Sequence, residues 1–263
     1  MTRTEATMLD QALAAAREAA AAAEVVIARY YRTRIAVETK DDASPVTQAD
    51  REAEQAIVRV LRAHYPSHAV YGEEYGHSGD SEWLWLVDPI DGTKAFVRDY
   101  PLFSTQIALM HAGELVLGVS SAGQFGQTAW ARRGGGAFVD AQPVRIETLR
   151  DLPEAQLSFG NIKTLASDPE YWSRVGSLVQ RANRCRGYGD FLHYHLLAQG
   201  AVDAVIESDL NILDIAALAV ICREAGAIFT DLGGRALTLD TRSVLAAPAQ
   251  LHDLLLGEIS FKF

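Results

Sequence analysis

The sequence predicts an α+β protein made of an N-terminal half with a mostly antiparallel sheet, residues 1–150, and a mixed αβ half, residues 151–263, packed as one compact unit. Three observations predict it. Up to Pro66 the chain is helix-forming, with apolar residues at helical spacing. From Ala69 to Ile146 short apolar runs alternate with turn signals. From Pro169 onward helical and strand-like stretches alternate.

Taken in order, Glu5 to Tyr31 reads as a helix whose core face carries Leu9, Leu13, Val25, Val26, Ile27 and Tyr30. Ser44-Pro45-Val46-Thr47 breaks that pattern and supplies capping residues for a second helix, Asp50 to His64, with Ala53, Ile57, Val60 and Leu61 inward. Ala69–Gly72 and Trp83–Val87 read as buried strands that run directly into carboxylates. Thr105–Met110 and Leu115–Ser120 flank Ala112-Gly113-Glu114 as a hairpin. Thr128–Arg132, Gly136–Val139 and Val144–Ile146 continue the strands, and Leu149–Pro153 is a compact junction. The second half reads as helix Pro169–Arg181, strand Arg184–Gly187, helix Phe191–Gln199, strand Val202–Ile206 and helix Ile212–Ala225 closed by Gly226. Strands near Ile228 and Ala236 and a helix over Pro248–Leu256 complete it.

With 263 residues, 49% hydrophobic and 22% charged, the chain has the composition of an ordinary globular protein. The formal charge of −10 argues against nucleic acid as a partner. It also means that an anionic ligand needs bound cations to reverse the local sign. Cys185 and Cys222 show neither paired nor metal-knuckle spacing, which suits a reducing cytoplasm. Arg17, Glu18 and Glu24 interrupt the Ala-rich start, and no apolar run is long enough for a membrane span. The expectation is a soluble cytoplasmic protein with no membrane partner.

Acids gather where chemistry would need them. Glu73 and Glu74 follow one strand, Asp88 and Asp91 end another, and Asp214 opens a helix. Strand ends and helix starts meet at one edge of a layered fold. Hard divalent cations want several oxygen ligands, which carboxylates from separate segments supply. Within Asp88-Pro89-Ile90-Asp91-Gly92-Thr93, Pro89 stiffens the turn, Gly92 admits close approach of an anion, and Thr93 places a hydroxyl beside two aspartates. Each piece has a plainer reading alone: an ordinary turn for Asp88–Thr93, solvated surface for Glu73-Glu74, a helix cap for Asp214.

Four blocks, in order, carry a resemblance. They are Lys40–Asp50 (KDDASPVTQAD), Gly72-Glu73-Glu74, Asp88–Thr93 (DPIDGT) and Leu213–Gly226 (LDIAALAVICREAG). Through them the chain resembles the inositol monophosphatase superfamily of Mg2+-dependent phosphatases over nearly its whole length. The resemblance implies a layered α-β-α-β-α sandwich of the sugar-phosphatase type. It implies two or three Mg2+ per site, held by Glu73, Asp88, the Ile90 carbonyl, Asp91 and Asp214. It implies Thr93 and Glu73 as the groups that hold the attacking water, Asp50 as hydrogen-bond partner of Thr93, and the Gly92 and Thr93 amides as phosphate contacts. Water then attacks phosphorus directly, with no phosphoenzyme. Homodimers are frequent in the superfamily. One departure is Leu213, where the family usually carries a packing Trp.

Within the superfamily the chain is most similar to the histidinol-phosphatase branch, through Lys94, Phe96 and Pro101-Leu102-Phe103 and through Gly189-Asp190 before a helix. A carboxylate beside the leaving group suits histidinol phosphate, which carries an ammonium and an imidazole. Glu207 matches the family's substrate-contacting acid, and the plainer role for Asp190 is to cap the helix at Phe191. The expected ligand is therefore a small phosphorylated metabolite, L-histidinol phosphate first. The alternatives are inositol phosphate, a sugar phosphate or a nucleotide 3′-phosphate, and, in another class, a non-catalytic binding protein on the same fold. His193 and His195, two apart on a helix, are expected one exposed and one partly buried, with no role. Trp83 and Trp85 read as sheet packing. Arg132-Arg133 reads as a basic hairpin, with phosphate contact as the alternative.

Overall fold

Helix α1 (Arg3–Tyr30) begins at a capping box in which Thr2 Oγ1 accepts the Glu5 amide and the Glu5 carboxylate accepts the Thr2 amide. Its buried face is mostly alanine, Ala12, Ala15, Ala16, Ala19, Ala20 and Ala23, which lets the backbone approach its neighbours closely. Val25, expected inward, is 63% exposed instead, because this alanine stripe and Val26–Ile27 define the packed side. The computed structural model describes residues 2–33, 37–39, 45–146 and 150–259. Lys40–Ser44 of the first motif block, and Leu149 of the expected junction, lie outside the described residues.

The remaining elements follow in chain order. They are β1 (Val37–Thr39), β2 (Pro45–Thr47), α2 (Gln48–His64), β3 (Ala69–Gly72), β4 (Gly76–Ser78), β5 (Trp83–Asp91), α3 (Thr93–Val97), β6 (Ser104–His111), β7 (Glu114–Ala122), β8 (Gln127–Arg132), β9 (Ala137–Val139) and β10 (Gln142–Val144). The second half holds β11 (Gln156–Gly160), α4 (Ile162–Leu165), α5 (Pro169–Arg181), β12 (Arg184–Arg186), α6 (Asp190–Ala198), β13 (Ala204–Ser208), α7 (Ile212–Ala225), β14 (Ile228–Thr230), β15 (Ser243–Ala247) and α8 (Ala249–Ile259).

Two sheets organise them. The first has the order β10-β9-β8-β7-β6-β5-β3-β4 and is antiparallel except where β3 runs parallel to β5. The second has the order β12-β11-β13-β15-β14, parallel across β12, β11 and β13 and antiparallel beyond. Strand residues alternate between faces. Trp85 and Val87 of β5 join Ile107 and Leu109 of β6 in a core with α1 and α2. Leu84, Leu86, Ala108 and Met110 join a second core with α6, α7 and one face of the other sheet. Leu157, Phe159, Ile206 and Leu245 face α5 and α8 in a third. The layers therefore run α-β-α-β-α, the expected sandwich. Helix α7 lies against β7 so closely at Gly118 that a Cβ there would be 2.4 Å from the Ala217 carbonyl oxygen.

Three strand expectations are corrected and one strand is added. Asp140 and Ala141, both at positive φ, make a two-residue turn that starts β10 at Gln142 rather than Val144, and the Ile146 amide leaves the sheet for the Ala225 carbonyl. The amides of Ala201 and Val202 return to the Leu196 carbonyl to close α6, so β13 begins at Ala204, two residues later than expected. Around Ala236 there is no strand, because the Asp231 carboxylate gathers the amides of Gly233 and Arg235 and holds a loop; the strand forms at Ser243–Ala247. The strand Gln156–Gly160, which carried no expectation, lies at the heart of the second sheet.

Candidate active site

The decisive local feature is an irregularity in β5. Asp88 pairs with Gln106 and Asp91 with Ser104, so three steps on β5 match two on β6. One extra residue is inserted there, a β-bulge, and it accommodates Pro89, which has no amide to give to a ladder. In an unbroken strand, residues three apart point to opposite faces. The bulge puts Ile90 into the core with α1 and α2 and turns both aspartates to the other side. The Ile90 amide donates to Asp88 Oδ1 at 2.9 Å, and Thr105 Oγ1 donates to the Pro89 carbonyl at 2.8 Å, which fixes the bend.

From the facing layer, α7 supplies the third acid. Asn211 caps this helix by accepting the Leu213 amide at 2.7 Å, and Asp214 Oδ2 accepts the Asn211 amide at 2.9 Å. Asp214 is thus a capping-box residue and also faces the cavity. Ligand atoms of Asp88, Asp91 and Asp214 all lie within 4.8 Å of one another. Burial first, and then the charges of Glu73, Asp91 and Asp214, push the Asp88 carboxyl well above the usual aspartate range. Burial, then Asp214, does the same to Asp91. Asp214 is pushed up to about 7 by burial, against the opposing Asn211 amide. Three oxygen donors so close, each destabilised as an anion, suit a hard divalent cation. Leu213, in place of a tryptophan, is buried in the middle core beside Asp214.

Asp88, Asp91 and Asp214 line a cavity of about 380 Å³ together with Glu73, Ile90, Gly92, Thr93, Asp190 and Glu207. Glu73 faces it outside the cluster of three. Asp50 stands behind Thr93, and Gly189 precedes α6; neither lines the cavity. Gly92 has φ of 90°, and a Cβ there would sit 2.7 Å from the Leu102 carbonyl oxygen, so only glycine permits this entry into α3. Thr93 Oγ1 lies 3.0 Å from the Ile90 carbonyl and 3.4 Å from Asp50 Oδ1, two acceptors for one proton. Asp50 Oδ2 in turn accepts both the Thr47 amide and the Thr47 hydroxyl. Burial pushes Asp50 up to about 6.

Helix α6 starts at Asp190 itself, with Gly189 as N-cap and no side-chain cap bond, so capping is not what Asp190 does. Its φ of 46° is left-handed. Burial, then the charge of Glu207, pushes Asp190 up to about 6, while His193 and Lys94 pull it down. His193 and His195 are both fully buried, which corrects the expectation of one exposed ring. Asp190 makes α6 start within the cavity wall, and both rings find partners: His193 at Ser158 and Glu207, His195 at Gln127 and Ser120. Trp85 is buried and Trp83 stacks on His111, as packing residues. Arg132 pairs with Asp10 and Arg133 with Glu5, so both belong to the contact with α1.

Sequence reasoning missed Glu54, Asn161, Tyr194 and Asp209. Glu54, one turn after Asp50 on α2, is buried and accepts the amides of Glu74 at 2.7 Å and Tyr75 at 3.2 Å. Its signal was an acid on the core-facing side of an amphipathic helix. Asn161 and Asp209 line the cavity from left-handed turns at strand ends. Tyr194 lines the cavity from α6, between the two histidines.

The sequence model of the inositol monophosphatase family matches residues 8–262. The histidinol-phosphatase of Mycobacterium tuberculosis is 38% identical over 243 residues, 90% of this chain and 93% of that protein. The histidinol-phosphatase of Streptomyces coelicolor is 35% identical, over 89% of this chain and 91% of that protein. Among solved structures, an inositol monophosphatase from Zymomonas mobilis superposes with a TM-score of 0.84 at 28% identity, covering 96% of this chain and 98% of that one. The fold and these likenesses define a phosphoric monoester hydrolase. The chain belongs to the inositol monophosphatase family. Among the described residues no helix is long and apolar enough to cross a membrane.

Proposed function

We propose that the protein is a Mg2+-dependent phosphatase that hydrolyses L-histidinol phosphate to L-histidinol and inorganic phosphate. The observation that carries this reading is a single cavity lined by two groups of acids, the cluster of Asp88, Asp91 and Asp214 and the pair Asp190 and Glu207. The first group suits cations that neutralise a phosphate, and the second suits the positive end of an amino-alcohol ester.

Glu73, Asp88, Asp91, Asp214 and the Ile90 carbonyl would hold Mg2+. When bound, the ions would supply charge stabilisation to the transferring phosphoryl group and activate water. The chain's own part is positioning. Thr93 Oγ1, with its proton directed at Asp50 Oδ1, turns lone pairs toward the cavity and accepts a hydrogen bond from the attacking water; Glu73 accepts the other, and the one proton the water releases is balanced by protonation of the leaving alkoxide. The amides of Gly92 and Thr93 orient the phosphate so that the P–O bond to the alcohol breaks opposite the incoming water. Asp190 and Glu207 hold the ammonium of the substrate and keep the leaving alkoxide in line. The histidinol-phosphatase relatives support this choice of substrate.

Phosphate release tests it, with and without Mg2+, from L-histidinol phosphate, inositol 1-phosphate, fructose 1,6-bisphosphate and adenosine 3′,5′-bisphosphate. Strong preference for histidinol phosphate upholds the reading. Preference for a neutral polyol phosphate keeps the metal cluster and removes the role given to Asp190 and Glu207.

A further inference from the structure

Glu207 lies near the end of β13, and its two oxygens have different surroundings. Oε1 sits over Gly160 of the adjacent strand β11, where a Cβ would be 2.0 Å away; only the missing side chain makes room for it. Oε2 receives two donors from consecutive residues of α6. The Tyr194 hydroxyl donates at 2.5 Å, and His193 Nε2 lies at 3.1 Å. Behind His193, Nδ1 lies 3.2 Å from Ser158 Oγ, and Ser158 Oγ accepts the Tyr188 amide at 3.4 Å. Because Ser158 accepts that amide, its own proton is free for Nδ1. With Ser158 donating to Nδ1, the hydrogen on Nε2 is aimed at Glu207.

The surroundings of Glu207 are otherwise repulsive. Its charge acts on Asp190, Asp91 and Asp214, all of which it raises. A carboxylate repelled by its neighbours needs donors to fix where it points. Both donors here converge on one oxygen and leave the other free.

We propose that His193 and Tyr194 are positioning residues that hold the Glu207 carboxylate facing the cavity and thereby set a preference for phosphate esters bearing an ammonium group. The proposal rests on the substrate reading above, in which Glu207 meets the cationic end of the ester. Neither residue touches the reacting atoms; both act through Glu207.

Steady-state kinetics of the Mg2+-loaded enzyme on L-histidinol phosphate and on p-nitrophenyl phosphate test it, with a melting curve for each variant. Tyr194→Phe removes one hydroxyl and His193→Phe one N–H donor. Each is expected to raise KM for histidinol phosphate about tenfold, the loss of one charge-assisted hydrogen bond, with kcat changed less than about threefold. His193→Gln, which keeps an N–H donor, is expected to recover most of the affinity. Glu207→Gln should raise the same KM, and adding Tyr194→Phe to it should bring no further loss. If Glu207→Gln raises KM but Tyr194→Phe and His193→Phe leave it unchanged, the proposal is overturned while the substrate reading stands. If Glu207→Gln itself leaves KM unchanged, the cation reading falls and the proposal falls with it.

Discussion

The two groups of acids in the cavity hold their carboxylates on different terms. In the cluster built by β5 and α7, Asp88 accepts the Ile90 amide, Asp214 the Asn211 amide, and Asp91 lies 3.5 Å from the Ser104 hydroxyl. Those donors are few for three acids within 4.8 Å, and burial with mutual repulsion pushes all three upward. In the other group, Glu207 takes side-chain donors from His193 and Tyr194 on one oxygen. Among the described residues, the three clustered acids are short of donors, whereas Glu207 is held by side chains and only Asp190 beside it is not. On the proposed reading the difference separates the cations: a metal where carboxylates lack donors, an organic ammonium where one carboxylate is already held.

The largest effect should come from the cluster. Asp88→Asn keeps the size of the side chain and removes the most buried of the three charges. It should lower kcat/KM at least about a thousandfold for every phosphate ester, roughly 4 kcal/mol of transition-state stabilisation, while the far-ultraviolet spectrum and cooperative melting persist. Phosphate release and a melting curve on the same sample check this. Near-normal turnover would break the comparison at its stronger side.

Metal-free stability sharpens the same contrast without any turnover. An unfolded aspartate titrates near 3.9, whereas Asp214 in the fold is pushed up to about 7, and Asp88 and Asp91 also move up. The folded chain therefore holds protons that the unfolded chain has released. Its stability from these groups is complete below about pH 4 and is lost as pH rises through about 7. His195 works in the opposite direction, since burial pushes its ring down to about 3, and its contribution is lost as pH falls below about 6.5. Above that pH the aspartates remain together with Glu54, which burial pushes up to about 7 and which acts in the same direction. In EDTA the Tm should fall between about pH 6.5 and 8. Mg2+ at a hundred times its Kd should restore about 2.7 kcal/mol, roughly 5–10 °C, and at one fixed Mg2+ concentration the gain should be larger at the higher pH. A metal-free Tm that rises over this interval would contradict the crowding.

How far the sequence spoke depended on whether a feature was local. The DPIDGT run named Asp88, Asp91 and Thr93, and the helix Ile212–Ala225 closed by Gly226 was legible to the residue, because capping and glycine signals are local. The bulge that turns Asp88 and Asp91 to one side was not legible, since it exists only as a register against Gln106 and Ser104. Glu54 was hidden for a similar reason: its value lies in the amides of Glu74 and Tyr75, twenty residues away. His193 and His195 were misread because helical spacing says that they diverge, yet α6 is packed on both sides and buries them both. The strand Ser243–Ala247 lacked alternation because both of its faces are buried, the case in which periodicity is least informative.

In the second group, Asp190→Ala should lower kcat/KM for histidinol phosphate about thirtyfold, near 2 kcal/mol, through the loss of one charge-assisted contact. Hydrolysis of p-nitrophenyl phosphate, which carries no ammonium, should fall by less than about threefold, and parallel assays of the two esters give the ratio. Since α6 draws no cap from Asp190, equal losses would not be explained by fraying of the helix. They would instead place Asp190 in the common machinery and erase the distinction between the two groups.

The smallest effect is expected outside both groups. Lys94 is the cationic residue that lines the cavity. Arg132, the other candidate for a phosphate, donates to Asp10 Oδ1 at 2.6 Å and to Oδ2 at 3.3 Å, a two-pronged pair that fastens β8 to α1. Asp10 is more than half exposed, so water weakens the pair, and Arg132→Ala should cost at most about 1 kcal/mol. Its kcat/KM should stay within about twofold of the parent on both esters, because no phosphate contact is removed. A tenfold loss with unchanged melting would give the phosphate a protein cation after all. The case that the acidic cluster depends on metal to receive its anion would then be weaker.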